Sequence, residues 1–341
     1  MLNFSSDYLE GAHPLILENL MKTNMEKTPG YGLDPYSEKA KQKIRDICKK
    51  PDAEVHFLVG GTQTNATVIK GILHYCEGVI AAETGHIATH EAGAIEAGGH
   101  KILTLPHENG KISAKSVSDF IDIFNKDGNN AHMVQPGMVY ISHPTEYGAL
   151  YSAQELQDLH DICKKHNIPL FLDGARLGYG LAARNTDVTL EVIAENCDVF
   201  YIGGTKVGAL FGEAIIIPQK GLVSHFFTFI KQQGALLAKG RILGIQFDTL
   251  FSDNLYLNIA KHAIDMAEKI KKGFADKNYR FFYQSPTNQQ FIILENEKMA
   301  ELAQKVIFSF WETYDDNHTV VRFATSWATN EADIDQLLAI I

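Results

Sequence analysis

Short apolar runs, rich in β-branched and aromatic residues and closed by glycine, proline or polar turn residues, recur through the first two thirds of the chain. They predict strands at 55–59, 79–82, 101–105, 138–142, 169–172, 199–202 and 214–217. Between them the apolar spacing turns helical, over 64–76, 87–97, 116–125, 153–166 and 189–195. Strands alternating with helices predict an α/β domain on a mostly parallel sheet, buried on both faces. The last connection breaks the pattern. From Gly203 to Glu213 the chain is glycine-rich and has no amphipathic stretch, whereas a parallel crossover needs about a dozen residues or more. The seventh strand is therefore expected to run antiparallel to its neighbour.

A long amphipathic helix is predicted over 253–274, with Ile259, Ala263, Met266, Ala267 and Ile270 near one face. Beyond it come strands at 280–283, 291–294 and 320–325, a helix over 298–307, and a terminal helix over 331–340 starting from Thr329 or Asn330. The expected layout is an N-terminal arm (1–13), a large α/β domain with seven strands (14–250) and a small α+β domain (251–341).

Composition narrows what such a molecule does. The 341 residues carry 31 basic and 41 acidic side chains, a net charge of -10, with 45% apolar and 21% charged. A disordered or collagen-like chain is excluded, and no nucleic-acid partner is expected, since phosphate backbones recruit a basic face. No membrane association is expected either: the longest apolar candidate, 66–82, is interrupted by Lys70, His74 and Glu77, well short of the roughly 18 unbroken residues of a span. The start lacks the basic and apolar segments of a secretory leader. Cys48, Cys76, Cys163 and Cys197 show no CxxC spacing, so neither a disulfide framework nor a metal site is expected and a reducing cytoplasm fits.

In open α/β sheets ligands gather at the carboxyl ends of the strands, which directs attention to four places. Gly60-Gly61-Thr62-Gln63-Thr64-Asn65 follows the first strand and leads into a helix; it is either a plain turn or, with bare amides at a positive helix end, a cup for a phosphate. His86, after the second strand, is a base, a ring for stacking on a flat cofactor, or a helix-start histidine. Asp173 ends a wholly apolar strand and opens Asp173-Gly174-Ala175-Arg176. Such a carboxylate needs a cationic or protonated partner, so it pairs with Arg176, binds a metal, or meets a ligand. Lys206 follows Gly203-Gly204-Thr205 at the end of the sixth strand, where burial and nearby cations lower an amine's pKa and free it for Schiff-base chemistry. Gly178-Tyr179-Gly180-Leu181-Ala182-Ala183 matches a dinucleotide fingerprint on paper but lacks the strand directly before it. Gly203-Gly204-Thr205-Lys206 lacks the order of a phosphate loop, and hydrolase elbows and HExxH are absent.

Taken in order, the glycine-threonine cup, the histidine, Asp-Gly-Ala-Arg and the lysine match the phosphate, ring face, ring nitrogen and aldehyde of pyridoxal 5'-phosphate. The sequence resembles the threonine aldolase family of fold-type-I pyridoxal-phosphate enzymes, in the branch that looks like phenylserine aldolase and low-specificity or allo-threonine aldolases. The likeness spans essentially the whole chain. It includes Ser6-Asp7, Gly30-Tyr31-Gly32-Leu33-Asp34, Gly61 to Asn65, His86 with Glu91-Ala92-Gly93, Thr145-Glu146-Tyr147-Gly148, Asp173 to Arg176, Lys206, and Val321-Arg322-Phe323-Ala324-Thr325-Ser326.

The resemblance implies roles residue by residue. Lys206 would form the Schiff base, and Asp173 would keep the pyridine nitrogen protonated so that the ring becomes an electron sink. Amides of Gly61 and Thr62 would hold the phosphate, His86 would cover a ring face, and Arg176 would lie beside the ring oxygen or the substrate carboxylate. Ser6 and Arg322 would clamp that carboxylate, presenting the Cα–Cβ bond for cleavage. The implied reaction is retro-aldol cleavage of an L-β-hydroxy-α-amino acid to glycine and an aldehyde. His86, directly or through a water, and Glu146 are the candidate bases. The chain departs from the family at Pro144-Thr145-Glu146-Tyr147-Gly148, where many members carry Asn-Thr-His-Asn-Gly; Glu146 stands in place of a histidine near the substrate hydroxyl. The segment around Lys231 and Lys239-Gly240-Arg241 resembles one that sends a cation to the phosphate across a subunit interface. The implied assembly is a homodimer or homotetramer with shared sites, Tyr31 and Lys239 being the visitors. The rival activities are a β-eliminating lyase or aminotransferase and, from another class, a binding or structural protein of the same fold without cofactor.

Overall fold

The computed structural model describes residues 1–341. The chain opens with β1 (Leu2–Asn3) and helices α1 (Pro14–Thr23) and α2 (Pro35–Ile47). It then alternates through β2 (Glu54–Leu58), α3 (Gly61–Ile72), β3 (Glu77–Ala82), α4 (His86–Thr89), α5 (Ala94–Ala97), β4 (Ile102–Leu105) and α6 (Ala114–Lys126). The series continues with β5 (Gln135–Ser142), α7 (Ala153–Lys165), β6 (Leu170–Asp173), α8 (Leu177–Ala182), α9 (Leu190–Asn196), β7 (Val199–Gly203) and β8 (Glu213–Ile217). All seven expected strands are present.

They form one sheet in the order β2-β8-β7-β6-β5-β3-β4. β8 runs antiparallel to both of its neighbours, with Gly203 opposite Glu213, while β7, β6, β5, β3 and β4 pair in parallel. The short glycine loop between β7 and β8 thus makes the reversal expected of it. Side chains alternate between two buried layers: Val139 and Ile141 of β5 with Leu170 and Leu172 of β6 on one face, Met138, Tyr140 and Phe171 on the other. Burial on both faces is why these strands read as unbroken apolar runs. Because β2, β3, β5, β6 and β7 share a direction, the residues after each emerge at one edge of the sheet.

Helices α10 (Phe226–Gln232) and α11 (Arg241–Leu250) lead to α12 (Leu255–Asp276), whose buried Ile259, Ala260 and Ala263 pack on the large sheet's core. Further along, Met266, Ile270 and Phe274 of α12 join a second core. That core lies under β9 (Arg280–Tyr283), β10 (Gln289–Glu295), α13 (Asn296–Leu302), β11 (Val306–Ile307), β12 (Ser309–Asp315), β13 (His318–Ala324) and α14 (Glu331–Ile340). β12-β13-β10-β9 form an antiparallel sheet, and β1 pairs in parallel with β11, Leu2 opposite Val306. The first residues are therefore woven into the C-terminal layer, where Phe4 is buried.

Several elements differ from expectation. The helix expected over 87–97 is two short pieces, because Ala92 and Gly93 both adopt positive φ, 51° and 72°. The helix expected over 298–307 ends at Leu302, and Val306–Ile307 instead takes β1 as a partner. α14 starts from Asn330, whose side chain accepts the Ala332 amide at 3.0 Å. α1, α2, α10, α11 and β12 were not anticipated. α11 is buried almost all round, so it lacks the polar face by which a helix is recognised.

Candidate active site

At the sheet edge α3 begins directly after β2. Its N-cap, Gly60, is extended and offers no side chain, which leaves the amides of the first turn, Gly61 and Thr62 included, unclaimed by a cap. A methyl group on Gly61 would come within 3.2 Å of the Tyr201 hydroxyl, so the helix start sits close against β7. One turn along, buried Asn65 donates to Glu91 Oε1 at 2.7 Å and to Asp173 Oδ2 at 3.0 Å.

Asp173 closes β6 at the centre of this edge and is 4% exposed. Tyr140 from β5 donates to its Oδ2 at 2.6 Å, Tyr201 from β7 to its Oδ1 at 2.6 Å, and the Ala175 amide to Oδ1 at 3.0 Å. Burial alone would raise its pKa; the His86 ring and these donors outweigh it, and the net shift is downward. The expected Asp173–Arg176 alternative is not what forms. Arg176 turns to the fully buried Asp7, with Nε at 2.6 Å and Nη2 at 3.0 Å from its two oxygens. Asp173 is instead engaged by neutral donors, Tyr140 and Tyr201 from its flanking strands with Asn65 and the Ala175 amide, while Asp7 offers both oxygens to the guanidinium fork. Asn288 steadies Asp7 at 2.9 Å.

Lys206 follows β7, partly exposed to the cavity, its amine 5.9 Å from the centre of the Tyr8 ring. Its backbone carbonyl is held by Tyr179. Desolvation, then the Arg176 charge, lower its pKa against the opposing pull of Asp7, Asp173 and Glu213. His86 begins α4 with Nδ1 2.8 Å from Glu91 Oε1, which directs Nε2 elsewhere. Its backbone amide donates to Glu146 Oε1 at 2.9 Å, an oxygen that also accepts from Ser142 at 2.7 Å. Glu146 Oε2 is buried without a partner. Burial raises the Glu146 pKa, with the nearby Asp173 charge adding to it.

These residues meet in a cavity of about 260 Å³ lined by Tyr8, Gly60, Gly61, Thr62, His86, Glu146, Asp173, Arg176, Lys206 and Glu213, among others. It adjoins a wider space of about 650 Å³ that shares Tyr8, His86, Glu146, Arg176 and Lys206 and adds Arg322, Tyr147 and Trp311. Arg322, on β13, bonds Gln289 Oε1 and the Ser5 carbonyl, both at 2.9 Å, while its Nε has no partner. Burial, then the Arg176 charge, bring its pKa down to about 10. Ser6 Oγ is likewise buried and unpartnered. Tyr31 and Lys239 are not in this cavity. They lie together on a separate exposed patch, where the Tyr31 amide bonds the Ala238 carbonyl at 3.2 Å and Lys231 sits 4.8 Å over the Tyr31 ring.

The residues to which sequence reasoning gave no role are Tyr140, Tyr201, Asn65, Tyr8 and Glu213. Two tyrosines in otherwise apolar strands were the available signal. They flank the strand that ends in Asp173, but their adjacency depends on the strand order.

A family model described as beta-eliminating lyase matches residues 3–297. The low specificity L-threonine aldolase of Pseudomonas sp. is 30% identical over 99% of this chain and 96% of its own length. The chain belongs to the threonine aldolase family. A structure of Leishmania major threonine aldolase superposes with a TM-score of 0.96 at 43% identity, covering 100% of this chain and 98% of that one. The fold reaches further: histidinol-phosphate aminotransferase of Clostridium acetobutylicum shares it at a TM-score of 0.73 and 15% identity. No helix of this threonine aldolase relative is long and apolar enough to cross a membrane.

Proposed function

We propose that the protein cleaves L-β-hydroxy-α-amino acids of the threonine, allo-threonine and phenylserine type to glycine and an aldehyde, with pyridoxal 5'-phosphate as cofactor. The observation that carries this is one cavity joining free helix-start amides, an ionised carboxylate, an amine of lowered pKa, and buried polar atoms that nothing in the chain satisfies. That donor set fits the cofactor. Gly61 and Thr62 amides would take its phosphate, Asp173 its ring nitrogen, Lys206 its aldehyde, His86 a ring face, and the Arg176 nitrogen left free by Asp7 its ring oxygen or the substrate carboxylate. When bound, the cofactor supplies a sink for the electrons left at Cα as a bond there breaks.

The chain's own residues decide which bond that is. Ser6 Oγ and Arg322 Nε, both lacking partners, hold the substrate carboxylate and so fix the orientation of Cα. Glu146 Oε2 removes the β-hydroxyl proton, its raised pKa making it a better base than an ordinary carboxylate. The Cα–Cβ bond then breaks, the aldehyde leaves, and a proton returned to Cα gives glycine. His86, oriented by Glu91, is the alternative base, directly or through a water. We assign the protein to a reducing cytoplasm, in keeping with four unpaired cysteines. It works as a homodimer or homotetramer in which Tyr31 and Lys239, outside their own cavity, complete that of a neighbour.

The test is purified enzyme supplied with the cofactor and given threonine, allo-threonine or phenylserine. Aldehyde and glycine in equal amounts are expected, and Lys206→Ala abolishes both. Ammonia or keto acid without glycine would instead favour the β-eliminating or aminotransferase reading. A wild-type protein that binds no cofactor and turns over nothing would favour a binding protein.

A further inference from the structure

Glu213 opens β8, the one reversed strand, and takes no part in the mechanism above. It is 3% exposed, opposite Leu58 of β2 and Gly203 of β7, on the wall of the cavity that Gly60, Gly61, Thr62, Thr205 and Lys206 also line. Its Oε1 accepts from Thr205 Oγ1 at 2.8 Å, and Thr205 in turn accepts the Gly212 amide at 3.0 Å. Its Oε2 is buried with no partner. A buried acceptor left so bears its full desolvation penalty unless something from outside the chain meets it.

An ionised carboxylate here would repel any anion that the α3 amides attract. The charged and titratable groups around it are Lys206 in the adjoining loop, Asp173 on β6, Tyr201 on β7 and Tyr256 on α12. β2 and α3 bring no charge to it, only Leu58, Val59 and the Gly60–Thr62 turn. Burial above all raises the Glu213 pKa, with the Thr205 bond and the Lys206 charge opposing and the Asp173 charge reinforcing.

We propose that Glu213 is a phosphate-binding residue that acts as a carboxylic acid, donating the proton on Oε2 to an oxygen of a phosphate monoester seated on the Gly61 and Thr62 amides. The identity of that monoester rests on the cofactor reading above. A carboxylic O–H donated to a phosphate oxygen is a charge-assisted bond, and the bound anion further disfavours ionisation of the acid. Binding and protonation therefore reinforce one another.

Apoenzyme titrated calorimetrically with pyridoxal 5'-phosphate, in two buffers of different ionisation heat, reads the protons taken up. In the alkaline range, wild type is expected to take up about one proton more than Glu213→Gln, and its affinity to fall about tenfold more per pH unit. At neutral pH Glu213→Gln, whose amide still donates, keeps near-native affinity, whereas Glu213→Ala binds roughly 10- to 100-fold more weakly. Pyridoxal, which lacks the phosphate, should not distinguish the three proteins. Equal proton uptake by wild type and Glu213→Gln, or an equal loss with pyridoxal, overturns the proposal alone. Wild-type apoenzyme that binds neither compound overturns the cofactor reading and this proposal with it.

Discussion

One oxygen of Glu146 is fixed by the Ser142 hydroxyl and the His86 amide, and the other is buried without a partner in a residue that lines the cavity. That division suits a base whose position must not change while its free oxygen gains and loses a proton. Burial first, and the Asp173 charge in addition, lift its pKa above the ordinary value. A base works ionised, so kcat/KM should rise with pH through that lifted value, an acidic limb displaced upward from the roughly 4.3 of an unperturbed glutamate. Glu146→Gln, nearly the same size, should lower kcat by about 10²–10⁴-fold and remove the limb. A variant with native kcat and the limb intact would transfer the role to His86 or a water. Asp7 behaves in the opposite way: burial would raise its pKa, but the charges of Arg176 and Lys206 and bonds from Arg176 and Asn288 hold it far below the usual carboxylate range. Both carboxylates are deeply buried, and of the two only the one with a cation at hydrogen-bond distance has its pKa lowered.

The site depends on two loops that leave β6 and β7 at backbone contact. A methyl group on Gly174 would lie 1.9 Å from the Tyr201 carbonyl, and one on Gly203 would lie 2.3 Å from the Ala175 carbonyl. The Gly203 amide donates to the Gly174 carbonyl at 2.9 Å, joining the loop that carries Arg176 to the one that carries Lys206. Gly174→Ala should therefore cost roughly 1–3 kcal/mol or more, as overpacking does, and weaken cofactor binding by parting Asp173 from Lys206. A native thermal midpoint would show that the loops separate freely. The glycines were visible in the sequence, but their closeness was not. Strand positions were legible because burial on both faces writes itself as apolar runs, and Asp173, His86 and Lys206 stood out because they end such runs or follow within a few residues. Asp7 was visible only as half of a dipeptide: its partner Arg176 lies far along the chain, and no local spacing links them. α2 had its start signal in Asp34, which accepts the Ser37 amide at 2.8 Å, and in Pro35. β12 escaped notice because most of it is exposed, with Glu312 and Tyr314 where an apolar stripe would be sought.

A molecule of net charge -10 gathers Lys206, Arg176 and Arg322 around one space, so its acidic surplus lies elsewhere. Asp7 already engages Arg176, and Lys206 is committed to the aldehyde in the proposed function, so within one chain the phosphate cup has amides but no cation of its own. A cation supplied by a second copy would fill that gap, and Lys239 stands exposed beside Tyr31 on a patch outside its own cavity. The arrangement has a consequence that a self-contained site lacks. Lys206→Ala removes the amine from a subunit's own site, whereas Lys239→Ala would damage only the neighbour's. Co-expressing the two variants, each carrying a different affinity tag, and isolating the mixed assembly should recover turnover, because one of its sites draws native Lys206 and native Lys239 from different chains. At limiting cofactor the mixed assembly should be clearly more active than either variant alone. If each chain completed its own site, mixing would restore nothing, since every site would keep one defect. A mixed assembly no better than the average of its parents, or a protein that sediments as a monomer while fully active, would confine the whole site to one chain.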